Sequence, residues 1–346
     1  MRSNKFLTLF LSTALLFTFS ACSRDTADGT ETETETESAV TADVLPEQLS
    51  DGEKTVIESI TKKDISKITE DDLLSVETVS IVGKFAASSP YMLSFSRDGY
   101  AYRNSLVPYG DDLGDSLSVL KLFKNLNVLG IYFCESLTDV SFLESLTNLR
   151  ELTVIMTGVK DFTVLDKLGE LETLRIQCCP AESIAFSDSG ALRHISISNS
   201  NISDLTPFES LKNLETFSMI YNNVGIKNTG VLSGFEKLSR LELIAPEFDL
   251  DFFDGMNAPS LYYLILGGFD GIDLSKISGV SKNLLSFDLK NSNSTDLTPL
   301  DSLPQSCMIQ VVMSENCTHG KRTTEGADMY SYSDMSHDMF DWYYEK

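Results

Sequence analysis

The sequence predicts an α/β repeat solenoid in which each turn of the chain adds one short strand to a parallel sheet. Three observations carry this prediction: an apolar template recurs, its copies are evenly spaced, and a second motif recurs between the copies. The template is an apolar residue, any two residues, an apolar residue, any one residue and an apolar residue. It occurs at Leu126/Leu129/Ile131, Leu149/Leu152/Val154, Leu171/Leu174/Ile176, Leu192/Ile195/Ile197, Leu214/Phe217/Met219, Leu238/Leu241/Leu243, Leu261/Leu264/Leu266 and Leu284/Phe287/Leu289.

The spacing of these copies is nearly constant. Successive starts lie 23, 22, 21, 22, 24, 23 and 23 residues apart, and a weaker ninth copy, Ser306/Ile309/Val311, follows after 22. One such turn cannot bury its apolar edge alone, so the turns must stack on one another. An earlier copy, Val76/Val79/Ile81, predicts a first strand ahead of the array.

The arms that return the chain from one strand to the next repeat as well. Asp204 and Asp296 each begin the string Asp-Leu-Thr-Pro, and the 92 residues between them are four turns of 23. An Asp or Ser at the turn, followed by Thr-Pro or Ser-Phe, favours a short capped helical turn. The arms include "DVSFLESLTNL" at 139, "DFTVLDKLGEL" at 161, "DLTPFESLKNL" at 204 and "DLTPLDSLPQS" at 296.

The arms and their period resemble the internalin type of bacterial leucine-rich repeat. The resemblance covers residues 76–313 in about nine turns of 21 to 24 residues. It implies a curved, right-handed coil with short parallel strands on the concave face. The convex face would then be formed by 3-10, helical or extended arms.

The N-terminus predicts export from the cytoplasm. Residues 1–21 carry Arg2 and Lys5 ahead of an apolar run that is too short to span a bilayer, which is typical of a signal peptide. The following "FSAC" resembles a bacterial lipobox, which implies lipidation at Cys22, although Phe19 stands where Leu is usual. An ordinary signal peptide with an incidental Cys remains the alternative.

The remaining segments outside the repeat have distinct compositions. Residues 22–43 are rich in Thr and Glu and predict a disordered acidic tether. Residues 44–75 predict a helical N-terminal cap, and residues 82–125 an elaborated first part of the coil with a hairpin at Asp98. Residues 314–346 are aromatic and acidic, which favours a C-terminal cap over a separate binding peptide.

Composition disfavours several functional classes. The chain has 27 Lys and Arg against 51 Asp and Glu, a net charge of −24 that repels nucleic acid. It lacks a Gly-rich phosphate loop and the usual hydrolase and metal motifs, and it has only three His. His194 and Ser196 share a strand face without an orienting acid. We therefore expect no enzyme activity, catalytic residue, metal site or cofactor.

Cysteines and small polar residues recur eight positions after the start of a template, where we expect them to face inward and satisfy loop amides. Cys134 and Cys179 lie two turns apart, about 10 Å, which is too far for a disulfide. Cys307 and Cys317 flank the last strand and are candidates for pairing outside the cytoplasm. The inward positions are Cys134, Thr157, Cys179, Ser200 and Asn222.

Residues between the core positions of each strand should face the concave side and form columns across the turns. Two apolar clusters in these columns predict a contact surface. The alternative is that the strand register is off by one in some turns, or that the hairpin at Asp98 covers the first cluster, so that it is not exposed. The first cluster is Tyr132, Phe133, Ile155 and Met156; the second is Ile220, Tyr221, Ile244, Tyr263 and Ile265; Arg175 and Glu242 lie in the neighbouring column.

These features predict a binding protein anchored to the bacterial cell membrane through a lipid on Cys22 and displayed outside the cytoplasm. The expected ligand is a protein of the host or of the envelope, ahead of a glycan, bound on the concave face. The alternative is a structural lipoprotein that self-associates or assembles with another envelope protein.

Overall fold

The computed structural model describes residues 44–83, 106–107, 115–187, 190–268, 272–292, 295–313, 317–321 and 328–331. All of them belong to one compact unit, Val40–Lys346. The expected signal peptide, the tether and the hairpin at Asp98 lie outside the described residues. Within those ranges, no helix has both the length and the apolar character needed to span a bilayer.

Among the residues described from 44 onward, two α-helices precede the sheet: α1 (Asp51–Thr61) and α2 (Glu70–Leu74). Helix α1 begins with a capping box in which the Ser50 hydroxyl accepts a hydrogen bond from the Glu53 amide and the Glu53 carboxylate accepts one from Ser50. One face of α1, formed by Val56, Ile57 and Ile60, is buried in the common core. The helices thereby cover the first turn of the coil.

In the part of the chain that the structure describes, twelve short parallel strands form one continuous sheet, in the order β14-β13-β12-β11-β10-β9-β8-β6-β4-β3-β1-β2. Strand β2 lies outside β1, and β5 pairs with β7 in a separate two-stranded sheet between arms. The prediction of a curved leucine-rich repeat solenoid is confirmed. The strands are β1 (Thr78–Val82), β2 (Leu106–Val107), β3 (Val128–Tyr132), β4 (Glu151–Ile155), β5 (Asp161–Phe162), β6 (Thr173–Gln177), β7 (Ser183–Ile184), β8 (His194–Ser198), β9 (Thr216–Ile220), β10 (Arg240–Ala245), β11 (Tyr263–Gly268), β12 (Ser286–Ser292), β13 (Met308–Met313) and β14 (Asp328–Ser331).

The return arms are short 3-10 helices with an Asp at the start, as the repeat predicts. The Asp161, Asp204 and Asp296 carboxylates each accept a hydrogen bond from the amide two residues later, at 2.8, 2.8 and 3.0 Å. Hydrogen bonds from Asn228 and Thr206 hold the pKa of Asp204 below its usual value. The 3-10 segments are Ile65–Lys67, Asp115–Leu122, Ser141–Ser145, Thr163–Lys167, Thr206–Phe208, Thr229–Gly234, Asp251–Asp254, Ile277–Gly279 and Thr298–Ser302.

The core lies between the sheet and the arms and runs through the stacked turns. The template residues are almost completely buried, and each buried Leu, Ile or Phe contributes about 1.5–3 kcal/mol of transfer free energy. A row of rings continues from turn to turn: Phe208 lies 5.4 Å from Phe217, which lies 5.9 Å from Phe235, between ring centroids. Each turn therefore depends on its neighbours for burial.

Two polar ladders align the turns. In the first, the Asn side chain just before a template Leu donates to a carbonyl of the preceding turn, as from Asn148 to Lys124 and from Asn213 to Gly190, both at 2.9 Å. In the second, inside the core, the Ser200 hydroxyl donates to the Asn222 amide oxygen at 2.8 Å. This second ladder confirms the prediction of inward-facing small polar residues.

Thiols take part in the inner ladder in the earlier turns. The Thr157 hydroxyl and the Cys179 sulfur are 3.3 Å apart. Burial raises the pKa of Cys134 to about 11 and also raises the pKa of Cys179. Both thiols are therefore protonated at neutral pH and behave as packing residues.

Candidate functional site

The outward face of the sheet, which is the concave face of this fold, carries three columns of side chains. We name them the start, middle and end columns, after the first, third and fifth residues of each strand. Strand pairing places Thr153, Arg175 and Ser196 side by side in the middle column, and Ile155 and Gln177 side by side in the end column. The middle and end columns therefore follow the register that the sequence predicted.

The start column was missed by the sequence reasoning, although strand alternation points to it: these residues precede the middle column by two positions. It contains the most exposed residue of the second cluster, Tyr263, and the adjacent Arg240. The start column is Val128, Glu151, Thr173, His194, Thr216, Arg240, Tyr263, Ser286 and Met308.

The prediction that the first cluster is exposed is wrong. Ile155 is completely buried, Phe133 is 5% exposed, and Tyr132 and Met156 are half-buried. One physical reason is visible at Gly130 in the middle column, where an added Cβ would lie 2.5 Å from the Tyr132 ring. The ring thus folds back over the strand into space that the glycine leaves. The hairpin expected to cover this cluster lies outside the described residues.

Phe133 and Met156 also belong to a series of residues with left-handed backbone conformation. Such a conformation costs a non-glycine residue about 1–2 kcal/mol, so it recurs only where surrounding contacts impose it. Here the amide of Phe133 donates to the Ile155 carbonyl and that of Met156 to the Gln177 carbonyl, both at 2.9 Å. The chain turns sharply off the strand, and the next residue points into the core. The series is Phe133 (φ 58°), Met156 (54°), Cys178 (51°), Asn199 (49°) and Tyr221 (53°).

The second cluster is organised around Glu242 in the middle column of β10. Its carboxylate accepts hydrogen bonds from the Ser218 hydroxyl and, at 2.7 Å, from Arg240 Nε. The Arg240 guanidinium carbon lies 5.8 Å from the centroid of the Tyr263 ring, within cation–π range. Burial, together with the charge of Glu242, raises the pKa of Tyr221. The structure therefore unites three predicted residues, Tyr221, Glu242 and Tyr263, with Arg240 and Ser218.

Exposure within this cluster is graded. The residue Tyr263 is 44% exposed, whereas the side chain of Glu242 is only 13% exposed. Ile244 is 3% exposed and forms part of the floor. A partly buried, hydrogen-bonded carboxylate thus fixes a cation that lies beside an accessible aromatic ring.

Arg175 does not join this cluster. It is half-buried in the middle column of β6, three strands from Glu242, which corresponds to about 14 Å. The start and middle columns of the strands between them are polar, and His194 Nδ1 lies 2.9 Å from the Thr216 hydroxyl. Arg175 therefore contributes to a polar middle band of the concave face.

The concave face is electrically balanced. From β3 to β13 its three columns hold three acidic and three basic residues, although the whole chain carries −24. Two opposite pairs are in contact: Arg240 with Glu242, and Lys290 with Asp288 at 3.5 Å. The excess acid thus lies elsewhere on the chain. The six charged residues are Glu151, Glu242, Asp288, Arg175, Arg240 and Lys290.

Two further predictions concern cysteines. Cys22 is not among the described residues, so its lipidation stays a prediction. Cys307 is buried at the start of β13 and Cys317 packs partly buried against the core; their pairing also stays a prediction. In the part of the chain that the structure describes, no three His, Cys, Asp or Glu side chains gather as metal ligands would.

Solved structures from Listeria monocytogenes resemble this chain. The internalin InlF is 18% identical over 85% of this chain and 96% of its own, with a TM-score of 0.47. Internalin C2 is 16% identical over 81% and 100%, with a TM-score of 0.47, and InlP is 16% identical over 80% and 73%, with a TM-score of 0.50. No family model and no curated protein matches the chain. At these low sequence identities, the similarity shows a common fold and nothing beyond it.

Proposed function

We propose that this is a surface-displayed, lipid-anchored binding protein that recognises a protein ligand through its concave face. The observation that carries the proposal is the Arg240–Tyr263–Glu242 cluster. Tyr and Arg are the residues most enriched at the energetic centres of protein interfaces. Here Glu242 holds the Arg240 guanidinium in place, so less side-chain entropy is lost when a ligand binds.

The balanced charge of the face disfavours a polyanion as the ligand. An interface without net charge selects its partner by shape and by local polar contacts rather than by long-range attraction. The apolar floor at Ile244 and Ile265 beside Tyr263 suits an apolar or aromatic side chain of the ligand. The ligand belongs to the host or to the bacterial envelope.

Anchoring belongs to the same proposal. The basic and apolar start of the chain, the "FSAC" string with Cys22 and the acidic segment that follows support a lipid anchor with a spacer outside the cytoplasm. The repeats would then stand away from the membrane with the concave face accessible.

A capture experiment with matched variants tests the proposal. The full chain is immobilised as parent, as Arg240→Ala/Tyr263→Ser, and as a control, Lys276→Ala, which removes the cation that bridges Asp251 and Asp254 on the arms. Each is exposed to envelope and host-mucosal extracts after circular dichroism has shown that it is folded. A partner captured by the parent and the control but lost with the concave variant supports the proposal.

Two results would contradict it. If all three forms capture the same partner, the concave cluster is not the binding site. If none captures a partner and the parent sediments as an oligomer, the structural role in the envelope replaces ligand recognition.

A further inference from the structure

Large apolar side chains are exposed at one place within the described ranges. They lie where the chain runs into β11, β12 and β13, and we name this group the start-edge patch. Pairing puts Tyr263, Ser286 and Met308 in one row across three strands, about 4.8 Å apart. The patch consists of Tyr262, Tyr263, Leu285 and Met308, with exposed fractions of 37%, 44%, 49% and 38%.

The segments that carry the patch contain no acidic residue. Residues 257–263, 281–287 and 303–308 include one charged residue, Lys282, which is exposed and precedes Leu285 by three positions. This is a marked local departure in a chain with 51 acidic residues. An apolar surface without negative charge is complementary to a segment that is both aromatic and acidic.

We propose that the start-edge patch binds the C-terminal segment of the same chain, residues 332–346. The segment, "YSDMSHDMFDWYYEK", has seven Met or aromatic residues among its fifteen, four acidic residues and one Lys. Its aromatic rings would pack against the Tyr, Leu and Met side chains of the patch, and its carboxylates would pair with Lys282. Tyr263 belongs to both surfaces, so the segment and an external ligand would compete for that ring, but the contact itself can be tested without any ligand.

The last described strand brings this segment within reach. Strand β14 ends at Ser331, which pairs with Met313 at the end of β13. The patch lies up to three strands away, about 14 Å, and one strand length back along the sheet. Fifteen extended residues span up to about 50 Å, so roughly half of the segment suffices to reach the patch.

The chain carries its own reporter for this contact, because Trp342 is its single Trp. In the full chain we expect Trp342 fluorescence to be blue-shifted and protected from acrylamide quenching, compared with the denatured chain. The double variant Leu285→Ser/Met308→Ser should shift the emission to the red and lose that protection. Both residues are well exposed, so these changes leave the core intact.

A matched control uses the same edge in earlier turns. The variant Arg150→Ser/Glu172→Ser removes an exposed ion pair from the segments preceding β4 and β6, and it should leave Trp342 unchanged. Lys282→Glu should lose part of the protection by repelling the acidic segment, with Lys282→Gln between it and the parent.

Three outcomes would overturn the proposal. Trp342 quenched as strongly in the native as in the denatured chain would mean that the segment is solvated. Protection unchanged by the double variant would mean that Trp342 packs elsewhere, such as against the end of the last turn. Protection that rises with protein concentration would mean that a second copy occupies the patch. None of these readouts involves an external ligand, so the concave-face proposal stands or falls separately.

Discussion

The edge of the sheet where strands start has two different compositions. Ahead of β6 and β9, the residue before the strand is an acid that pairs with an Arg of the previous turn: Glu172 with Arg150 at 2.6 Å, and Glu215 with Arg193 at 3.5 Å. Ahead of β11 and β12, the same position holds Tyr262 and Leu285. This position does not face the core, so the repeat does not fix its residue type. One half of the edge therefore carries solvated charged residues, and the other carries apolar residues suited to contact with another segment.

The opposite edge of the sheet divides at the same place. After β3, β4, β6, β8 and β9 the chain leaves the strand through a left-handed residue, the last being Tyr221. Strands β10 and β11 continue one residue further, to Ala245 and Gly268. The two halves thus differ at both edges while they share one core.

The largest expected effect tests whether the core is truly common to the two halves. Leu152→Ala in β4 and Leu264→Ala in β11 remove fully buried template residues, so each should lower the free energy of unfolding by about 2–5 kcal/mol. Urea denaturation of each variant measures this. A loss confined to one of the two variants would show that the two halves are packed differently.

The inner polar ladder should come next. Asn222 is 1% exposed, and its amide donates to the Ile202 and Val224 carbonyls at 2.9 and 2.7 Å. Asn222→Ala should cost about 1–3 kcal/mol because buried carbonyls lose their donor. Equilibrium unfolding compares it with Asn223→Ala, the exposed neighbour. Equal stability of the two variants would contradict a structural role for the ladder.

Acid should weaken both halves through the arms. Hydrogen bonds hold the pKa of Asp161, of Asp204 and of Asp273 below the ordinary value. A depressed folded-state pKa adds stability above the unfolded pKa, about 3.9, that is lost as pH falls through the folded pKa. Asp204→Ala should cost about 0.5–1.5 kcal/mol at neutral pH, because the Thr206 amide loses its acceptor. Its cost should shrink in acid; a constant cost from pH 7 to pH 2.5 would rule out the carboxylate as that acceptor.

The smallest effect belongs to the charged edge itself. Glu172→Gln breaks the ion pair with Arg150, whose side chains are 42% and 55% exposed, and it should cost about 0–1 kcal/mol, less at high salt. Thermal unfolding at low and high salt measures this. A larger loss that salt does not reduce would mean that the charges on this edge stabilise the fold rather than keep it solvated.

The sequence predicted the structural features that depend on the repeat from turn to turn. It did not predict features that depend on contacts outside that repeat. The Leu spacing located the strands and the middle and end columns because a period of two fixes which side chains face outward. It did not predict the complete burial of Ile155, nor the partial burial of Tyr132, whose ring occupies the space left by the missing side chain at Gly130. Nor did it predict the left-handed turns, since Phe133 and Tyr221 are residue types that rarely adopt them.

The position of β2 has a consequence for the order in which the protein assembles. Leu106–Val107 pairs with the outer side of β1, so β1 lies between two strands that both follow it in the chain. During synthesis, Thr78–Val82 therefore leaves the ribosome before either of its partners exists. A solenoid can in principle extend turn by turn from its N-terminus. Here the first strand must wait for later residues to return, so the beginning of the coil is completed only after the chain has passed it.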